Sequence, residues 1–211
     1  MPRSTAQIWE QLFTSIETAW GFKPADSAVI TASFFLRQYV KTVLIPGIGY
    51  GRNASPFLEK GMTVEGIELS KKAIELAKAH YPISITHGDI RHMPFTKKQF
   101  DGIYYYSVLH LLHKFERQKF IATCYQHLPS KGWMVFVVIA KTSDLYGNGK
   151  RLSTDRYLLE NGLAVFFYDK NTVQHEFKNY GLVSVHEIEE PMKHLNKKTT
   201  LPCLIIKCQR L

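Results

Sequence analysis

One stretch decides the fold of this chain: Val43-Leu44-Ile45-Pro46-Gly47-Ile48-Gly49-Tyr50-Gly51-Arg52-Asn53. An apolar run rich in β-branched residues ends at a proline, glycines follow at alternate positions, and a helical pattern resumes beyond them. A strand, a glycine turn and a helix in this order bring backbone close to a nucleotide-like ligand. Glycine suits the turn because it accepts a positive φ and has no Cβ to hold a ligand away. The stretch therefore predicts an α/β nucleotide-type site that the remaining sequence has to support.

The composition favours one globular domain. Of the 211 residues, 45% are hydrophobic and 21% are charged, which is enough to bury an ample core. Cys124, Cys203 and Cys208 have no CxxC spacing, so buried reduced thiols are favoured over disulfides or a metal site. Neither a signal peptide nor an apolar run long enough to span a bilayer is visible. We therefore expect a cytoplasmic protein without a membrane partner and without a metal.

The net charge of +9 comes from 27 Lys and Arg against 18 Asp and Glu. Such an excess permits attraction to nucleic acid or to anionic substrates. The basic residues come in scattered pairs, such as Lys71-Lys72 and Lys97-Lys98, without a long basic tract or a nucleic-acid module. A solvated surface is the favoured interpretation, and nucleic acid is retained as the less favoured partner.

Strand and helix patterns alternate through the middle of the chain. Strands are predicted at 43–45, 62–69, 83–86, 100–109 and 133–140, with helices at 55–60, 71–80 and 115–127. This alternation predicts right-handed crossovers and a parallel sheet covered by helices on both faces. Two more strands, at 182–188 and 204–207, follow a helix at 173–180. Seven strands in one sheet are therefore expected.

We divide the single domain, 1–211, into four segments. Helical patterns at 4–20 and 27–39 precede the first strand and have no strand of their own, so 1–40 is predicted to be a helical cap. Its Trp9, Phe13 and Trp20 pack either on the core or over a pocket mouth. Residues 41–141 form the ligand-binding core, 142–181 a lid and acceptor region, and 182–211 the sheet-closing strands. The polar stretch 141–155 is predicted to be a lid-like loop, and the aromatic run 165–169 either faces the acceptor or packs in the core.

Glycines, carboxylates and hydroxyls recur where the predicted strands end. They are Gly47, Gly49, Gly51, Glu68, Asp89, Tyr106 and Ser107. Parallel sheets bind ligands outside the carboxyl ends of their strands, so these residues should share one rim. Glu68 lies 21 positions after Gly47, the interval at which a carboxylate can accept hydrogen bonds from a ribose diol. Asp89 could accept from an adenine amino group, and its alternative role is to cap the turn that follows it.

Glycine spacing distinguishes two cofactor classes. A dinucleotide fingerprint requires G-x-G-x-x-G around a pyrophosphate. Here the spacing is G-x-G-x-G, and Arg52 takes the place of the third glycine. S-adenosylmethionine fits such a turn, because it has adenine and ribose but an amino-acid tail in place of phosphates.

At this point the sequence resembles the class I S-adenosylmethionine-dependent methyltransferases, over roughly residues 41–141. The resemblance lies in the opening stretch and in Val-Glu-Gly-Ile-Glu-Leu-Ser, Gly-Asp-Ile-Arg-His-Met-Pro-Phe, Gln-Phe-Asp-Gly-Ile-Tyr-Tyr-Tyr-Ser-Val-Leu-His-Leu-Leu and Leu-Pro-Ser-Lys-Gly-Trp. It implies a Rossmann-like three-layer sandwich whose last strand is antiparallel. It also implies the cofactor-binding residues, which are Gly47, Ile48, Gly49, Gly51, Asn53, Glu68, Leu69, Asp89, Ile90, Tyr106 and Ser107.

The chain departs from the family pattern at two places. Pro46 stands where most members have an acidic residue, which is similar to the thiopurine and tellurite-resistance branches that act on small, soft nucleophiles. His110 is followed by Leu111 where paired histidines or Glu-His are usual, so it is a weak candidate for a general base. Tyr106 is the other catalytic candidate and Tyr168 a third, although methyl transfer by proximity can proceed without a base.

These observations lead to one functional hypothesis and two alternatives. We expect a methyltransferase that uses S-adenosylmethionine to methylate a small-molecule acceptor. Tyr104-Tyr105-Tyr106-Ser107 replaces the Asn-Pro-Pro-Tyr type segment of the amino-methylating branch, which argues against adenine or glutamine as the acceptor. The alternatives are an RNA or protein methyltransferase that uses the basic surface and a noncatalytic S-adenosylmethionine-binding module. The sequence does not predict the oligomeric state.

Overall fold

Alternating strands and helices build a large mixed sheet with a smaller sheet beside it. The structure is a computed structural model that describes residues 5–192 and 199–211. The strands are β1 (Thr42–Pro46), β2 (Thr63–Glu68), β3 (Ser84–His87), β4 (Gly102–Tyr106), β5 (Trp133–Ile139), β6 (Lys150–Ser153), β7 (Arg156–Leu158), β8 (Ala164–Phe166), β9 (Leu182–Pro191) and β10 (Thr200–Gln209). The helices are α1 (Thr5–Ser15), α2 (Asp26–Arg37), α3 (Ser55–Leu58), α4 (Lys71–His80), α5 (Lys114–Gln126) and α6 (Lys170–Phe177).

The large sheet has seven strands in the order β3-β2-β1-β4-β5-β10-β9. From β3 to β5 each neighbouring pair is parallel. β10 is antiparallel to both β5 and β9, so the last strand alone runs against the other six. The predicted Rossmann-like sheet with an antiparallel last strand is confirmed. Chain order reverses between β1 and β4, which places the switch point, and hence the expected ligand rim, at their carboxyl ends.

Two apolar cores cover opposite faces of the large sheet. One contains Phe35 of α2, Phe57 of α3 and Ile74 of α4, and the other contains Ile121 of α5 and Phe177 of α6. All seven residues of β5 are buried, as expected for a strand covered on both faces. The three-layer sandwich is thus confirmed, and α2 belongs to one of its layers while α1 lies outside them. Within the described residues, no helix is both long and apolar enough to cross a bilayer.

Several element boundaries differ from the prediction. The fourth strand, expected over 100–109, ends at Tyr106 because Ser107 turns to a φ of 61°. The first helix, expected over 4–20, ends at Ser15, and residue 4 lies outside the described part of the chain. The two closing strands extend to Leu182–Pro191 and Thr200–Gln209, because their backbones pair beyond the apolar runs that marked them.

The expectation that 141–155 is a loop is wrong for its second half. Lys150–Ser153 forms β6, which pairs antiparallel with β7, and β7 pairs with β8. All four residues of β6 are exposed, so the strand lacks the apolar alternation by which a half-buried strand is recognised. Backbone pairing alone reveals it.

A buried arginine attaches this small sheet to the large one. Arg156 in β7 is 6% exposed and donates hydrogen bonds to the carbonyls of Leu111 and Leu112, at 3.3 and 3.1 Å. Both carbonyls belong to the segment that follows β4. A bridge between Ala140 and Tyr168 adds a second attachment just after β5. The small sheet therefore stands beside the carboxyl ends of β4 and β5.

Candidate functional site

The glycine turn follows β1 and lies against the end of β2. Backbone N–H groups of Gly47 and Ile48 donate to the carbonyl of Ile67, at 2.8 and 3.2 Å. Gly47, Gly49 and Gly51 have φ values of 66°, 58° and 86°. Residues other than glycine rarely adopt this left-handed region. The alternate glycines therefore allow the backbone to turn sharply at the sheet rim, as the sequence predicted.

Glu68 ends β2 and holds the turn through backbone hydrogen bonds. Its Oε2 accepts from the N–H of Gly49 at 2.8 Å, and its Oε1 accepts from Leu69 and Ser70 at 2.8 and 2.9 Å. The residue is only 7% exposed. Burial raises the pKa of Glu68, and the three hydrogen bonds, which favour the charged carboxylate, oppose that rise. The structure thus joins the glycine turn to the second-strand carboxylate, while the ribose contact stays a prediction.

Asp89 follows β3 and is engaged by a neighbouring arginine. It accepts from the backbone N–H of Arg91 at 2.9 Å and forms an ion pair with its guanidinium at 2.6 Å. Burial raises the pKa of Asp89, but the hydrogen bonds from Arg91 outweigh burial and leave the pKa below its usual value. The capping role is thus observed at the turn Ile90–His92. Contacts of Asp89 and of half-buried Ile90 with adenine stay predictions.

Tyr106 and Ser107 lie where β4 ends. The left-handed conformation of Ser107, with a φ of 61°, costs a residue with a side chain about 1–3 kcal/mol, and such strain concentrates at functional sites. The guanidinium carbon of Arg52 lies 5.6 Å from the ring centre of Tyr106. Burial raises the pKa of Tyr106 well above its usual range. Its hydroxyl therefore keeps its proton at neutral pH.

His110, the other catalytic candidate, lies in the short helical turn after β4. It is 6% exposed, and its Nδ1 accepts from the backbone N–H of Ile139 at 3.4 Å. Burial lowers the pKa of His110 to about 4, so the imidazole is neutral at neutral pH and a weak base. The structural interpretation of His110 has a contact to support it, and a catalytic role stays a prediction.

The aromatic run 165–169 packs in the core. Phe167 and Tyr168 have no exposed surface, and Val165 and Phe166 are buried as well. The hydroxyl of Tyr168 donates to Glu176 at 3.0 Å. Tyr168 is therefore unsuited as the third candidate base, because its hydroxyl is enclosed and already bonded.

Three further predicted cofactor residues belong to the same rim. The side chain of Ile48 packs over Gly66, where an added Cβ would lie 2.6 Å from it. Asn53 is 8% exposed, and its Oδ1 accepts from the N–H of Ala25 at 2.9 Å, just before α2. Leu69 is half-buried beside Glu68. The side chains of Ile48 and Asn53 thus stabilise the turn and the start of α2, and their contact with a cofactor stays a prediction.

An aromatic cluster covers the glycine turn, and it contains the three residues that were expected either on the core or over a pocket mouth. Trp9 and Phe13 of α1 pack with Trp20 and Tyr50, and we call these four residues the aromatic roof. The rings of Trp20 and Tyr50 are stacked, with centroids 6.4 Å apart and planes at 5°. Phe13 is 3% exposed, whereas Trp9 and Trp20 are half-buried and line a cavity. The helical spacing of Trp9 and Phe13 indicated that both lie on one face of α1. Nothing in the sequence indicated that Tyr50, inside the glycine stretch, would be their partner.

Comparisons with known proteins agree with this geometry. Residues 44–136 match the model of a family described as a methyltransferase domain. No curated protein matches the chain in sequence. The matched residues include the glycine turn, Glu68, Asp89 and the end of β4.

Solved structures of low sequence identity share the fold. The CcbJ methyltransferase from Streptomyces caelestis is 14% identical, with a TM-score of 0.74 over 99% of this chain and 100% of that chain. The 1,6-didemethyltoxoflavin-N1-methyltransferase from Burkholderia thailandensis, solved with 1,6-didemethyltoxoflavin and S-adenosylhomocysteine, is 18% identical, with a TM-score of 0.71 over 100% and 92%. TehB from Haemophilus influenzae is 16% identical, with a TM-score of 0.67 over 96% and 67%. Residues 44–136 of the chain thus match the methyltransferase-domain family, and the chain shares its fold with these solved structures.

Proposed function

We propose that this protein transfers the methyl group of S-adenosylmethionine to a small-molecule acceptor by direct in-line displacement. One observation carries the proposal. The N–H of Gly49 donates to the Glu68 carboxylate at 2.8 Å, at the carboxyl ends of β1 and β2 beside the switch point of the sheet and below the aromatic roof. A cofactor bound there would lie in a covered rim, where the acceptor has limited space.

The residues of the rim suit an S-adenosyl group. Among the described residues, Oε2 of Glu68 accepts one hydrogen bond, from Gly49. A carboxylate oxygen has two lone pairs, so a ribose hydroxyl could donate to the second. At Gly49 an added Cβ would meet only the ring of Phe13, at 3.7 Å, among the described residues. Gly49 therefore has no side chain of its own to hold a ligand away from its backbone, and the ring of Phe13 borders the turn at this point.

The chain contributes alignment and exclusion of water. When bound, the cofactor supplies an electrophilic methyl group on a positively charged sulfur. Holding the acceptor in line with that methyl, in a site shielded from water, accounts for most of what an enzyme must add. The aromatic roof covers the rim from one side and the small sheet from the other. On this basis we assign α1 to the cap, α2 with residues 41–141 to the cofactor core and 142–181 to the acceptor region.

Neither catalytic candidate is a good base at neutral pH. The Tyr106 hydroxyl keeps its proton, because burial raises its pKa, and can orient an acceptor as a donor. Burial lowers the pKa of His110 to about 4, so its neutral ring takes up a proton poorly. This favours acceptors that ionise readily or already carry a free lone pair, for which no general base is needed.

Surface charge gives limited support to the RNA alternative. Lys72 pairs with Glu17 at 2.8 Å, and Lys98 pairs with Glu65 at 2.6 Å. Two of the basic pairs noted in the sequence are thus partly neutralised. A small-molecule acceptor fits the covered rim better than a polymer does.

The purified full chain tests the proposal in two steps. Calorimetry should detect binding of S-adenosylmethionine and S-adenosylhomocysteine, with NAD as the control ligand. Methyl-labelled cofactor is then incubated with a panel of small thiols, phenols and amines, and separately with RNA and with protein. Label in a small molecule is expected. Label in RNA or protein would show that the acceptor is a polymer and not a small molecule. Binding of S-adenosylmethionine without any transfer would indicate a noncatalytic module. Binding of NAD alone would overturn the assignment of S-adenosylmethionine as the cofactor.

A further inference from the structure

A cavity of about 400 Å³ lies between α1 and the connection from β7 to β8. Its walls include Trp9, Gln11, Leu12, Trp20, Asn161 and Leu163. A volume of this size falls within the range of about 300–1,000 Å³ that is typical of small-molecule sites. Two of the wall residues belong to the aromatic roof, so the cavity adjoins the covered rim.

The cavity wall is apolar and uncharged. Indole rings and aliphatic side chains form most of it, and its polar groups are the amides of Gln11 and Asn161 and the hydroxyl of Ser15. Within the described part of the chain, no Asp, Glu, Lys, Arg or His lines it. This is unexpected in a protein with a net charge of +9. An ion placed there would lose hydration without gaining a partner.

Two carboxylates on and just after α1 are directed toward α4. Glu10 of α1 accepts from the backbone N–H of Lys72 at 3.4 Å. Glu17, just after α1, forms an ion pair with the ammonium of Lys72 at 2.8 Å. The remaining side of α1 is thereby left to present apolar and neutral groups to the cavity.

Residues on both walls of the cavity pack against elements next to the proposed site of methyl transfer. On one side Trp20 stacks on Tyr50, which lies between the glycines of the turn. On the other side Leu163 packs against an apolar cluster that contains Ile139, at the end of β5, and Leu111, in the turn after β4, packs against the same cluster. The cavity is therefore linked by packing to the turn after β1 and to the end of β5, on the rim where the proposed function places the cofactor.

We propose that this cavity binds the methyl acceptor and selects a neutral, planar, largely apolar ring compound. Flat faces of Trp9 and Trp20 would contact the ring, because aromatic pairs stack favourably. The amides of Gln11 and Asn161 would pair with one or two of its polar atoms. The identification of the ligand as the methyl acceptor rests on the proposed function. The binding preference of the cavity can be measured without methyl transfer.

The test uses matched ring compounds on protein saturated with S-adenosylhomocysteine. Calorimetric titrations compare 2-naphthol, which is neutral and planar, with 2-naphthoate, which is planar and anionic, and with decahydro-2-naphthol, which is neutral and not planar. We expect 2-naphthol to bind at least tenfold more tightly than each of the others. Equal or tighter binding of 2-naphthoate would overturn neutral selection, and equal binding of decahydro-2-naphthol would overturn the stacking role of the tryptophans.

Two variants locate the site, with a control on the same segment. Leu12→Lys places a charge in the wall, and Ser15→Trp fills the cavity from an exposed helix end. Each variant should weaken the binding of 2-naphthol at least tenfold without changing the affinity for S-adenosylhomocysteine. Ile16→Lys is the control, because Ile16 is 56% exposed and outside the wall. If Ser15→Trp, which keeps the helix intact, binds 2-naphthol as the parent does, the cavity is not the binding site.

Failure of the proposed function gives a different pattern. If S-adenosylhomocysteine does not bind, the cofactor assignment fails, and the three ring compounds are titrated into the protein alone. Preference for 2-naphthol that is lost in Ser15→Trp would then keep the cavity as a ligand site without a methyl donor. Absence of binding by all three compounds in both conditions refutes the inference.

Discussion

Replacement of Glu68 by glutamine turns one hydrogen-bond acceptor, a carboxylate oxygen, into a donor and keeps the shape of the side chain. The Glu68 carboxylate receives N–H groups from Gly49 on one oxygen and from Leu69 and Ser70 on the other, all within 2.9 Å. Glutamine has a single acceptor oxygen, which can keep the two bonds to Leu69 and Ser70. Its amide nitrogen then faces the N–H of Gly49, so two donors meet and one buried N–H loses its partner.

The loss of that hydrogen bond sets the magnitude. A hydrogen bond to a charged group contributes about 1.5–3 kcal/mol. Burial already penalises the charged carboxylate, as the raised pKa of Glu68 indicates, and the neutral amide avoids this penalty. We therefore expect a destabilisation near the lower limit, about 1.5 kcal/mol. For a domain of this size that lowers Tm by about 3–6 °C.

Thermal and urea unfolding of the ligand-free protein measure this change. The control is Glu65→Gln on the same strand, where the carboxylate pairs with the partly exposed ammonium of Lys98 at 2.6 Å. A surface ion pair contributes about 0–1 kcal/mol, so this variant should unfold close to the parent. Calorimetry should show that Glu68→Gln also weakens S-adenosylmethionine. If Glu68→Gln unfolds at the same temperature as Glu65→Gln, the carboxylate does not hold the glycine turn.

Two further predictions concern a glycine and a buried histidine. Gly51 and Gly61 have φ values of 86° and 78°. An added Cβ would lie 2.8 Å from Tyr81 at Gly51, whereas at Gly61 it would meet no described heavy atom within 4 Å beyond those of the adjoining residues. In urea unfolding, Gly61→Ala should cost about 1 kcal/mol for backbone strain, and Gly51→Ala should cost at least about 1 kcal/mol more for the clash; equal costs would show that Tyr81 yields freely. The pKa of His110 is lowered by burial from 6.5 to about 4, so between these values the unfolded chain binds a proton that the folded protein does not, and stability falls as the pH drops through this window. His110→Asn keeps an acceptor for the N–H of Ile139 without titrating, and urea unfolding at neutral pH and near pH 4 should show that it loses up to about 3 kcal/mol less than the parent; an equal loss would mean that His110 does not titrate as a buried neutral ring.

Much of the fold could be predicted because its signals are local. β1 and β5 are continuous apolar runs and α4 has an amphipathic period with Ser70 as its N-cap, which accepts from Ala73 at 3.1 Å. The rim residues Gly49 and Glu68 could be placed because carboxyl ends of parallel strands meet at one edge. Their mutual hydrogen bond could not, since spacing along the chain does not tell which backbone group a carboxylate will reach.

The part that was missed depends on contacts between distant segments. β6 is wholly exposed and carries no apolar alternation, so only its pairing with β7 makes it a strand. Arg156 appeared in the sequence as one more basic residue, yet it is buried and bonded to carbonyls that follow β4. Its charge gave no indication of that position.

By itself, the sequence determined the α/β sandwich and the order of its elements along the chain, and it predicted a cofactor turn unsuited to a diphosphate. Hydrophobic periodicity and glycine spacing are properties of short segments, so they can be read directly from the sequence. Only the tertiary structure decided that α1 folds back over the glycine turn, that Trp20 stacks on Tyr50 and that an uncharged cavity opens beside them. The physical reason is that packing and burial are set by which distant surfaces meet, and a side chain's own neighbours along the chain do not record that choice.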